Sequence, residues 1–211
     1  MRAFHILAAT ATVAALLIYP DSSMTPSASA DGCPDVEVIF ARGTNEPPGV
    51  GRVGDAFIRA LRQRTSRPVS TYAVNYPASY DFGRAADGAN DASAHVMWMA
   101  DNCPASRLVL GGYSQGAAIV DIVAAVPVPG LGFTMPLPPQ AADHIAAVAV
   151  FGNPSNRIGQ SLTNSPVFGS RTIDLCTEGD PICSPGSNVA AHSGYTPGMT
   201  NQAATFVAGL L

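Results

Sequence analysis

The sequence predicts an α/β fold with a central, mainly parallel sheet and helices on both faces. Two observations lead to this fold class. Strand-like segments alternate along the chain with segments of helical periodicity, and the strand-like segments are apolar on both faces. Strands of this kind are typical of a parallel sheet buried between helices. Because ligands bind such sheets at the carboxyl ends of the strands, we expect the functional site there.

The first half of the chain supplies two strands and two helices. The β-rich run 36–41 predicts the first strand, and residues 53–64 carry apolar side chains at helical spacing. Residues 69–76 predict a second strand that stops at Pro77, because proline cannot donate to a strand ladder. Residues 85–102 predict the second helix.

The second half repeats the alternation. A short buried strand is predicted over 107–111, and a helix over 115–126 that ends before Pro127. The all-apolar run 145–151 predicts another strand, as do residues 171–176. A helix over 200–211 is expected to close the chain.

The first thirty residues are predicted to be an export signal. Arg2 and His5 form a basic start, residues 6–18 are an apolar run too short to span a bilayer comfortably, and Ala28-Ser29-Ala30 matches a signal-peptidase site. A short membrane anchor is the alternative interpretation. We expect a secreted protein, extracellular or associated with the cell wall, whose mature part of about 180 residues can bury a sizeable core.

Charge is sparse and forms no pattern that indicates a polyanionic partner. Charged residues make up 12% of the chain, the net charge is −4, and all eleven basic residues are arginines. Since no basic block could follow a phosphate backbone, we expect no nucleic-acid partner. After residue 30 no apolar run has membrane-spanning length, so we expect no stable membrane insertion, and we expect a monomer.

Four cysteines, an even number in an exported chain, predict disulfides. Three pairings are possible, and we favour the sequential one, Cys33–Cys103 and Cys176–Cys183, because the last two cysteines can close a small loop. Zinc binding is the alternative, but the spacing does not match paired C-x-x-C ligands.

A nucleophile motif lies between a predicted strand and a predicted helix. Gly112-x-Ser114-x-Gly116 occupies the turn, where glycines permit a tight bend and a close approach of helix to strand. The motif would lift Ser114 to the top of the sheet, beside a helix N-terminus that favours developing negative charge. A glycine-rich turn with an inert serine is the alternative.

The serine needs a base that follows it in the chain. His144 stands just before a predicted strand and would enter the sheet from the wrong end, whereas His192 lies in a loop before the last helix. We therefore predict His192 as the base.

An acid must orient that histidine. The candidates are Asp121, Asp143, Asp174, Glu178 and Asp180. Asp121 would point away along the nucleophile's helix and Asp174 lies inside a strand. Glu178 and Asp180 both follow that strand, and Asp180 has a backbone restrained by Gly179 and Pro181. We predict Asp180 as the acid, with an acidic turn residue as the alternative interpretation.

Together these residues resemble the cutinase family, especially the small secreted cutinase-like esterases of actinobacteria. The matching segments are 41–46, 111–117, the Cys176-x-x-Gly179-Asp180-x-x-Cys183 loop, and His192 twelve residues beyond Asp180. The resemblance covers essentially the whole mature chain. It implies one small α/β-hydrolase domain over 31–211 with about five strands, two disulfides and no lid domain.

The resemblance also implies site chemistry. It implies a Ser114–Asp180–His192 triad, an oxyanion hole at Thr44 and Gln115, no metal and no cofactor. Cutinases of fungi usually carry serine where this chain has Thr44, which leaves the contribution of the hydroxyl open.

The predicted function is therefore a secreted serine esterase that hydrolyses carboxylic esters with short to medium acyl chains through an acyl-enzyme. The substrate would be a small-molecule or polymeric ester, and lipids are among the candidates. The apolar, proline-rich segment 127–139 is expected to form one wall of an acyl-binding crevice, or alternatively to pack on the core. Two other functions stay open, namely a carbohydrate acetyl esterase on a similar scaffold and a non-catalytic secreted lipid-binding protein.

Overall fold

Five parallel strands form the centre of the computed structural model, which describes Met1, residues 32–125 and residues 127–211. The predicted export signal, 1–30, lies outside the described residues except for Met1. The strands are β1 (Val36–Ala41), β2 (Val69–Ala73), β3 (Arg107–Tyr113), β4 (Ile145–Phe151) and β5 (Thr172–Leu175). Their order in the sheet is β2-β1-β3-β4-β5, and every neighbouring pair is parallel. The predicted α/β class and parallel sheet are confirmed.

Helices cover the sheet on both faces. They are α1 (Gly51–Arg62), α2 (Ala85–Asn102), α3 (Gln115–Ala125), the short α4 (Pro139–Ala142) and α5 (Gly198–Ala208). One apolar cluster joins the sheet to α2 and α3, and a second joins it to α1 and α5. Among the described residues, no helix has the length and apolar character needed to cross a membrane.

The sheet order reverses between β1 and β3, which positions the site. The chain passes from β1 to β2 on one side, then crosses to β3 on the other side of β1. A crevice opens where two such neighbouring strands send their connections in opposite directions. Thr44 follows β1 and Ser114 follows β3, so this switch point brings both residues to one edge of the sheet.

Several predicted boundaries differ from the structure by a few residues. The second strand ends at Ala73 instead of residue 76, because the buried Arg42 guanidinium donates to the carbonyls of Val74 (3.4 Å) and Tyr76 (2.7 Å). β3 runs two residues further than predicted, since Gly112 and Tyr113 still pair with β4. The last helix lies at Gly198–Ala208 instead of 200–211.

Both predicted disulfides are present. Cys33–Cys103 ties the segment before β1 to the end of α2 across 70 residues, and Cys176–Cys183 closes a loop of seven residues directly after β5. All four cysteines are therefore paired, and the zinc alternative is wrong.

Candidate active site

Ser114 occupies a strained turn between β3 and α3. Its φ is +56°, in the left-handed region, and its N–H donates to the carbonyl of Phe151 at 2.9 Å. The flanking glycines leave no room for side chains. A Cβ on Gly112 would lie 2.2 Å from the carbonyl oxygen of Gly116, and one on Gly116 would lie 2.0 Å from that of Ala41. The close crossing of strand and helix therefore requires glycine at both positions, and it projects Ser114 from the sheet edge.

Three side chains chosen from the sequence meet at this edge. The Nε2 atom of His192 lies 2.9 Å from Ser114 Oγ, and its Nδ1 atom lies 2.7 Å from Asp180 Oδ2. His192 belongs to a 3₁₀ turn, and the fully buried Asp180 belongs to the small disulfide loop. The imidazole thus bridges a hydroxyl and a carboxylate, which is the geometry a base needs to activate a serine.

The Asp180 carboxylate accepts three hydrogen bonds. His192 and the phenol of Tyr195 (2.5 Å) both bind Oδ2, and the N–H of Ile182 donates to Oδ1 at 2.8 Å. Burial alone would raise the pKa of Asp180, but the hydrogen bonds from Tyr195, His192 and Ile182 outweigh burial and hold this pKa below its ordinary value. Asp180 therefore remains ionised beside the imidazole.

The imidazole of His192 is held from several sides. The ring of Tyr113 stacks against it with centroids 5.0 Å apart, and the Tyr113 hydroxyl donates to the backbone carbonyl of His192 at 2.6 Å. Gly152 passes close by with φ +61°, and a Cβ there would come within 2.9 Å of the imidazole. The ring is thereby fixed in the orientation that faces Ser114.

Thr44 and Gln115 lie beside the serine and are hydrogen-bonded to each other. The Thr44 hydroxyl donates to Gln115 Oε1 at 3.1 Å, and Gln115 Nε2 donates to the carbonyl of Ser79 at 3.1 Å. Gln115 is the first residue of α3, so its backbone N–H is one of those that the helix leaves unpaired. The Gln115 side chain joins the loop after β1 to the loop that contains Ser79.

A crevice of about 550 Å³ surrounds Ser114. The residues that line it are mostly apolar or aromatic. Two of these residues, Tyr80 and Phe82, are 72% and 61% exposed. The full lining is Thr44, Tyr80, Phe82, Ala85, Tyr113, Ser114, Gln115, Ala118, Pro154, Ile182 and His192. A pocket of this size and lining suits an apolar group attached to a polar reacting centre.

Comparison with known proteins decides the family. The family model described as Cutinase matches residues 32–211. The chain belongs to the cutinase family. It is therefore a serine ester hydrolase and has the predicted small α/β-hydrolase fold.

Relatives and solved structures of this cutinase-family chain agree with that assignment. A Mycobacterium tuberculosis protein named Phospholipase Culp4 is 62% identical over 208 residues, which cover 98% of this chain and 91% of the relative. A Trichoderma reesei cutinase in complex with a phosphonate inhibitor has 33% identity and a TM-score of 0.69, over 84% of this chain and 77% of that one.

A third comparison is with a carbohydrate esterase. The catalytic core domain of acetyl xylan esterase from Trichoderma reesei has a TM-score of 0.74 at 25% identity. The match covers 85% of this chain and all of the esterase core. The cutinase-family scaffold is thus similar to one that carries acetyl esterase activity.

The other residues weighed from the sequence lie away from the serine. His144 directly precedes β4 and hydrogen-bonds through its carbonyl to Leu108, so it lies at the opposite edge of the sheet from Ser114. Asp143 and Glu178 are exposed. Asp121 and Asp174 bind a different partner, Asn153, as described below.

The expectation that segment 127–139 forms a crevice wall is wrong. None of its described residues lines the cavity around Ser114. Phe133 is 2% exposed and belongs to the core, and Asn90 of α2 hydrogen-bonds the carbonyl of Gly132 and the N–H of Thr134, both at 2.8 Å. These contacts fasten the segment to α2. The core-packing alternative holds at Phe133, the one buried residue of the segment, while most of the other residues are exposed.

The crevice walls that do exist were missed from the sequence. Tyr80 and Phe82 precede α2, Pro154 follows β4, and Ile182 lies in the disulfide loop. They come from separate loops, and no periodicity links them. The one signal was Ile182, an apolar residue two positions after the predicted acid.

Two further carboxylates form a buried polar cluster. Asn153, which is fully buried, donates from Nδ2 to Asp121 at 3.0 Å and to Asp174 at 3.2 Å. Burial raises the pKa of Asp121 to about 7, against the lowering effect of hydrogen bonds from Ser155 and Asn153. Burial also raises the pKa of Asp174. The cluster joins α3 to β5 and contributes no atom to the crevice.

Proposed function

We propose that this chain is a secreted carboxylesterase that acts through a Ser114–His192–Asp180 triad on esters with short to medium acyl chains. One observation carries the proposal, the continuous series of hydrogen bonds from Ser114 Oγ through both nitrogens of His192 to Asp180. A lipid-binding protein without catalytic activity would have no need of this arrangement, which argues against that alternative.

The proposed reaction is ester hydrolysis by nucleophilic attack of Ser114, with His192 as base and then as acid. Ser114 Oγ attacks the ester carbonyl carbon while Nε2 of His192 takes the hydroxyl proton, and Asp180 stabilises the resulting imidazolium. The tetrahedral intermediate collapses when His192 donates that proton to the leaving alkoxide, which departs as the alcohol. Water then attacks the acyl-enzyme by the same route and releases the acid.

We assign the oxyanion hole to Gln115 and Thr44. In this assignment the backbone N–H of Gln115, at the start of α3, and the N–H of Thr44, after β1, would donate to the developing oxyanion. Loss of one such donor costs about 3–4 kcal/mol of transition-state stabilisation. The Thr44 hydroxyl is directed at Gln115 Oε1, so it would have to rotate before it could donate to substrate.

The crevice supports short to medium acyl chains. Its volume of about 550 Å³ and its exposed aromatic walls, Tyr80 and Phe82, offer an apolar surface at the mouth. His192 keeps 19% of its side chain exposed. Ser114 is half-buried and lines this crevice, which favours soluble or polymeric esters that approach from solvent.

Export is proposed on two grounds. All four cysteines are paired in disulfides. Such bonds persist in oxidising compartments. The predicted signal over 1–30 agrees with that compartment.

The test is an acyl-chain series run on one enzyme preparation. p-Nitrophenyl esters from acetyl to palmitoyl, a phosphatidylcholine, a polyester film and acetylated xylan would be compared, with Ser114→Ala as the control. We expect the highest kcat/KM at butyryl to octanoyl. A preference for acetylated xylan over butyryl ester would instead support the acetyl esterase alternative, which the similarity to the xylan esterase core keeps open. Turnover by Ser114→Ala equal to the parent would reject the triad.

A further inference from the structure

A contact between a phenol and the Asp180 carboxylate lies behind the triad. Tyr195, three residues beyond His192, is fully buried, and its hydroxyl donates to Asp180 Oδ2 at 2.5 Å. This is the same oxygen that accepts the Nδ1–H of His192 at 2.7 Å. Two donors therefore share one acceptor atom, and one of them is the proposed base.

We propose that Tyr195 is a positioning residue, which fixes the Asp180 carboxylate and tunes how strongly it binds the imidazole of His192. The proposal rests on the proposed Ser114–His192–Asp180 triad. Tyr195 does not line the crevice, so it would act on the reaction only through Asp180.

The phenol is itself held in place by its surroundings. Its ring packs edge-on against Phe151, with centroids 6.2 Å apart, and against His192 at the same separation. Its oxygen accepts the N–H of Thr177 at 3.3 Å and lies 3.3 Å from Cys183 Sγ. The small disulfide loop thus closes around the phenol oxygen. The hydroxyl hydrogen of Tyr195 has one charged acceptor, the Asp180 carboxylate.

The ionisation states favour this direction of donation. Burial, and then the hydrogen bond to Asp180, raise the pKa of Tyr195 above its ordinary value, so the phenol keeps its proton. The hydrogen bonds to Asp180 lower the pKa of that carboxyl despite its burial. Tyr195 is therefore a donor, and Asp180 an acceptor, throughout the pH range in which an esterase with a histidine base works.

Other charged groups near the site do not replace this contact. Arg157 donates to the carbonyl of Pro181, and Arg52 donates to that of Ser193 at 3.1 Å. Glu46 accepts the backbone N–H of Gly43 at 2.7 Å. The remaining titratable neighbour, Tyr113, hydrogen-bonds the backbone of His192 and not the carboxylate. In the described part of the chain, Tyr195 and His192 are thus the two side chains that donate to the Asp180 carboxylate.

The effect of losing the phenol has a definite sign. A carboxylate that accepts fewer hydrogen bonds is a stronger acceptor for the remaining donor. Without the phenol, Asp180 would favour the imidazolium form of His192, so a higher pH would be needed to obtain the neutral base. The carboxylate would also be free to turn, and small misplacements at a reacting centre lower the rate strongly.

The experiment is Tyr195→Phe in the full mature chain, measured with p-nitrophenyl butyrate between pH 5 and 9. We expect the acid limb of kcat/KM to move up by about half a pH unit or more. We expect kcat to fall about tenfold, with KM within about twofold of the parent, because the crevice is unchanged.

Tyr72→Phe is the matched control. Its hydroxyl also donates to a carboxylate, both oxygens of Asp91 at 3.1 Å, but on β2 and α2 away from the crevice. This variant should keep the acid limb and kcat of the parent. A Tyr195→Phe enzyme that is folded by circular dichroism and keeps the parental acid limb would overturn the proposal, whatever its kcat.

Two further measurements keep the outcomes separable. If Tyr195→Phe does not fold, proton NMR of the parent decides. We expect two far-downfield proton signals, from His192 Nδ1–H and Tyr195 O–H. A single far-downfield signal would contradict the proposal that both groups donate to one oxygen of Asp180.

If Ser114→Ala and Asp180→Asn keep activity, the proposed function itself fails. If both are inactive while Tyr195→Phe matches the parent, only the role of Tyr195 is rejected.

Discussion

At Ser114 the backbone is strained where the proposed chemistry occurs. A serine with φ +56° adopts a conformation that costs a residue with a side chain about 1 kcal/mol or more. The flanking glycines and the hydrogen bond to Phe151 hold it there. The strained backbone directs the Ser114 hydroxyl toward the imidazole. The conformation therefore lowers the stability of the fold but places the nucleophile beside its base.

This strain gives a prediction for two variants. Ser114→Ala should lose at least about a thousandfold in kcat, since it removes the nucleophile. Ser114→Gly should be equally inactive, but more stable than Ser114→Ala by about 1 kcal/mol, because glycine tolerates positive φ. Esterase assays and urea unfolding would measure both effects. Equal stability of the two variants would show that the turn is not strained.

The histidine governs the second residue-scale prediction. His192 must be neutral to accept the serine proton, because a protonated imidazole cannot act as a base. The lowered pKa of Asp180 keeps its carboxylate ionised beside the imidazole. We expect kcat/KM on a soluble ester to fall strongly between pH 8 and pH 4. A rate that stays constant from pH 8 to pH 4 would exclude His192 as the base.

Among single residues, the sequence was informative where chemistry imposes an order. Nucleophile, acid and histidine follow one another along such chains, and that order with the predicted strand ends selected Ser114, Asp180 and His192, which the structure brings together. Tyr195 could not be selected in this way. A buried tyrosine near the chain end satisfies no spacing rule, and its contact with Asp180 exists only once the disulfide loop has folded around it.

Among the elements, the small disulfide loop carries the proposed acid. Cys176–Cys183 closes only seven residues, and the N–H groups of Asp180 and Ile182 are used inside the loop. By the chain-entropy model such a loop contributes about 2 kcal/mol, against about 4 kcal/mol for the 70 residues closed by Cys33–Cys103. The two disulfides therefore differ in what they stabilise.

Opening each disulfide separately should reveal this difference. Replacing Cys176 and Cys183 by alanine should lower kcat more than it lowers the folded fraction at room temperature, because Asp180 loses its fixed position. Replacing Cys33 and Cys103 should lower the unfolding midpoint and leave kcat per folded molecule unchanged. Alanine is preferred to serine, since a hydroxyl at position 183 could bind the Tyr195 phenol. Full kcat in the Cys176/Cys183 variant would contradict the positioning role.

Helices and strands could be predicted where the periodicity lies within the segment itself. The prediction was wrong where a residue distant in sequence hydrogen-bonds to the segment. The bounds 85–102 and 145–151 match α2 and β4 because their apolar patterns are uninterrupted. The second strand was predicted too long because Arg42, some thirty residues earlier, takes the carbonyls that follow Ala73. Segment 127–139 was misplaced because its partner is Asn90 of α2, and no pattern within the segment indicates that partner.

Across the whole molecule, stability should depend on pH through the Asp121–Asn153–Asp174 cluster. The pKa of Asp121 is about 7 in the folded chain, raised by burial from an ordinary 3.8. A raised folded-state pKa means that the stabilising contribution is complete below pH 3.8 and is lost as the pH rises through 7. For this group the loss amounts to about 2–4 kcal/mol.

The matching experiment compares the parent with Asp121→Asn. Between pH 4 and pH 7 the parent should lose free energy of unfolding relative to the variant, and above pH 7 the difference should be constant. Titrating groups outside the cluster are common to both chains, so the difference reports on Asp121 and on its coupling to Asp174. Urea unfolding at each pH measures it. A difference that does not vary with pH would mean that Asp121 is ionised in the folded chain from pH 4 upward.

Cys33, tied to the end of α2, and Leu210, whose carbonyl accepts from Arg107 at 3.3 Å, lie at the edge where the strands begin. Ser114 and its crevice lie at the edge where the strands end. A solid support attached at the edge where the strands begin would therefore hold the molecule with its crevice pointing outward. A film of this esterase immobilised in that way would present its serines to a flowing solution or to an opposing polymer surface.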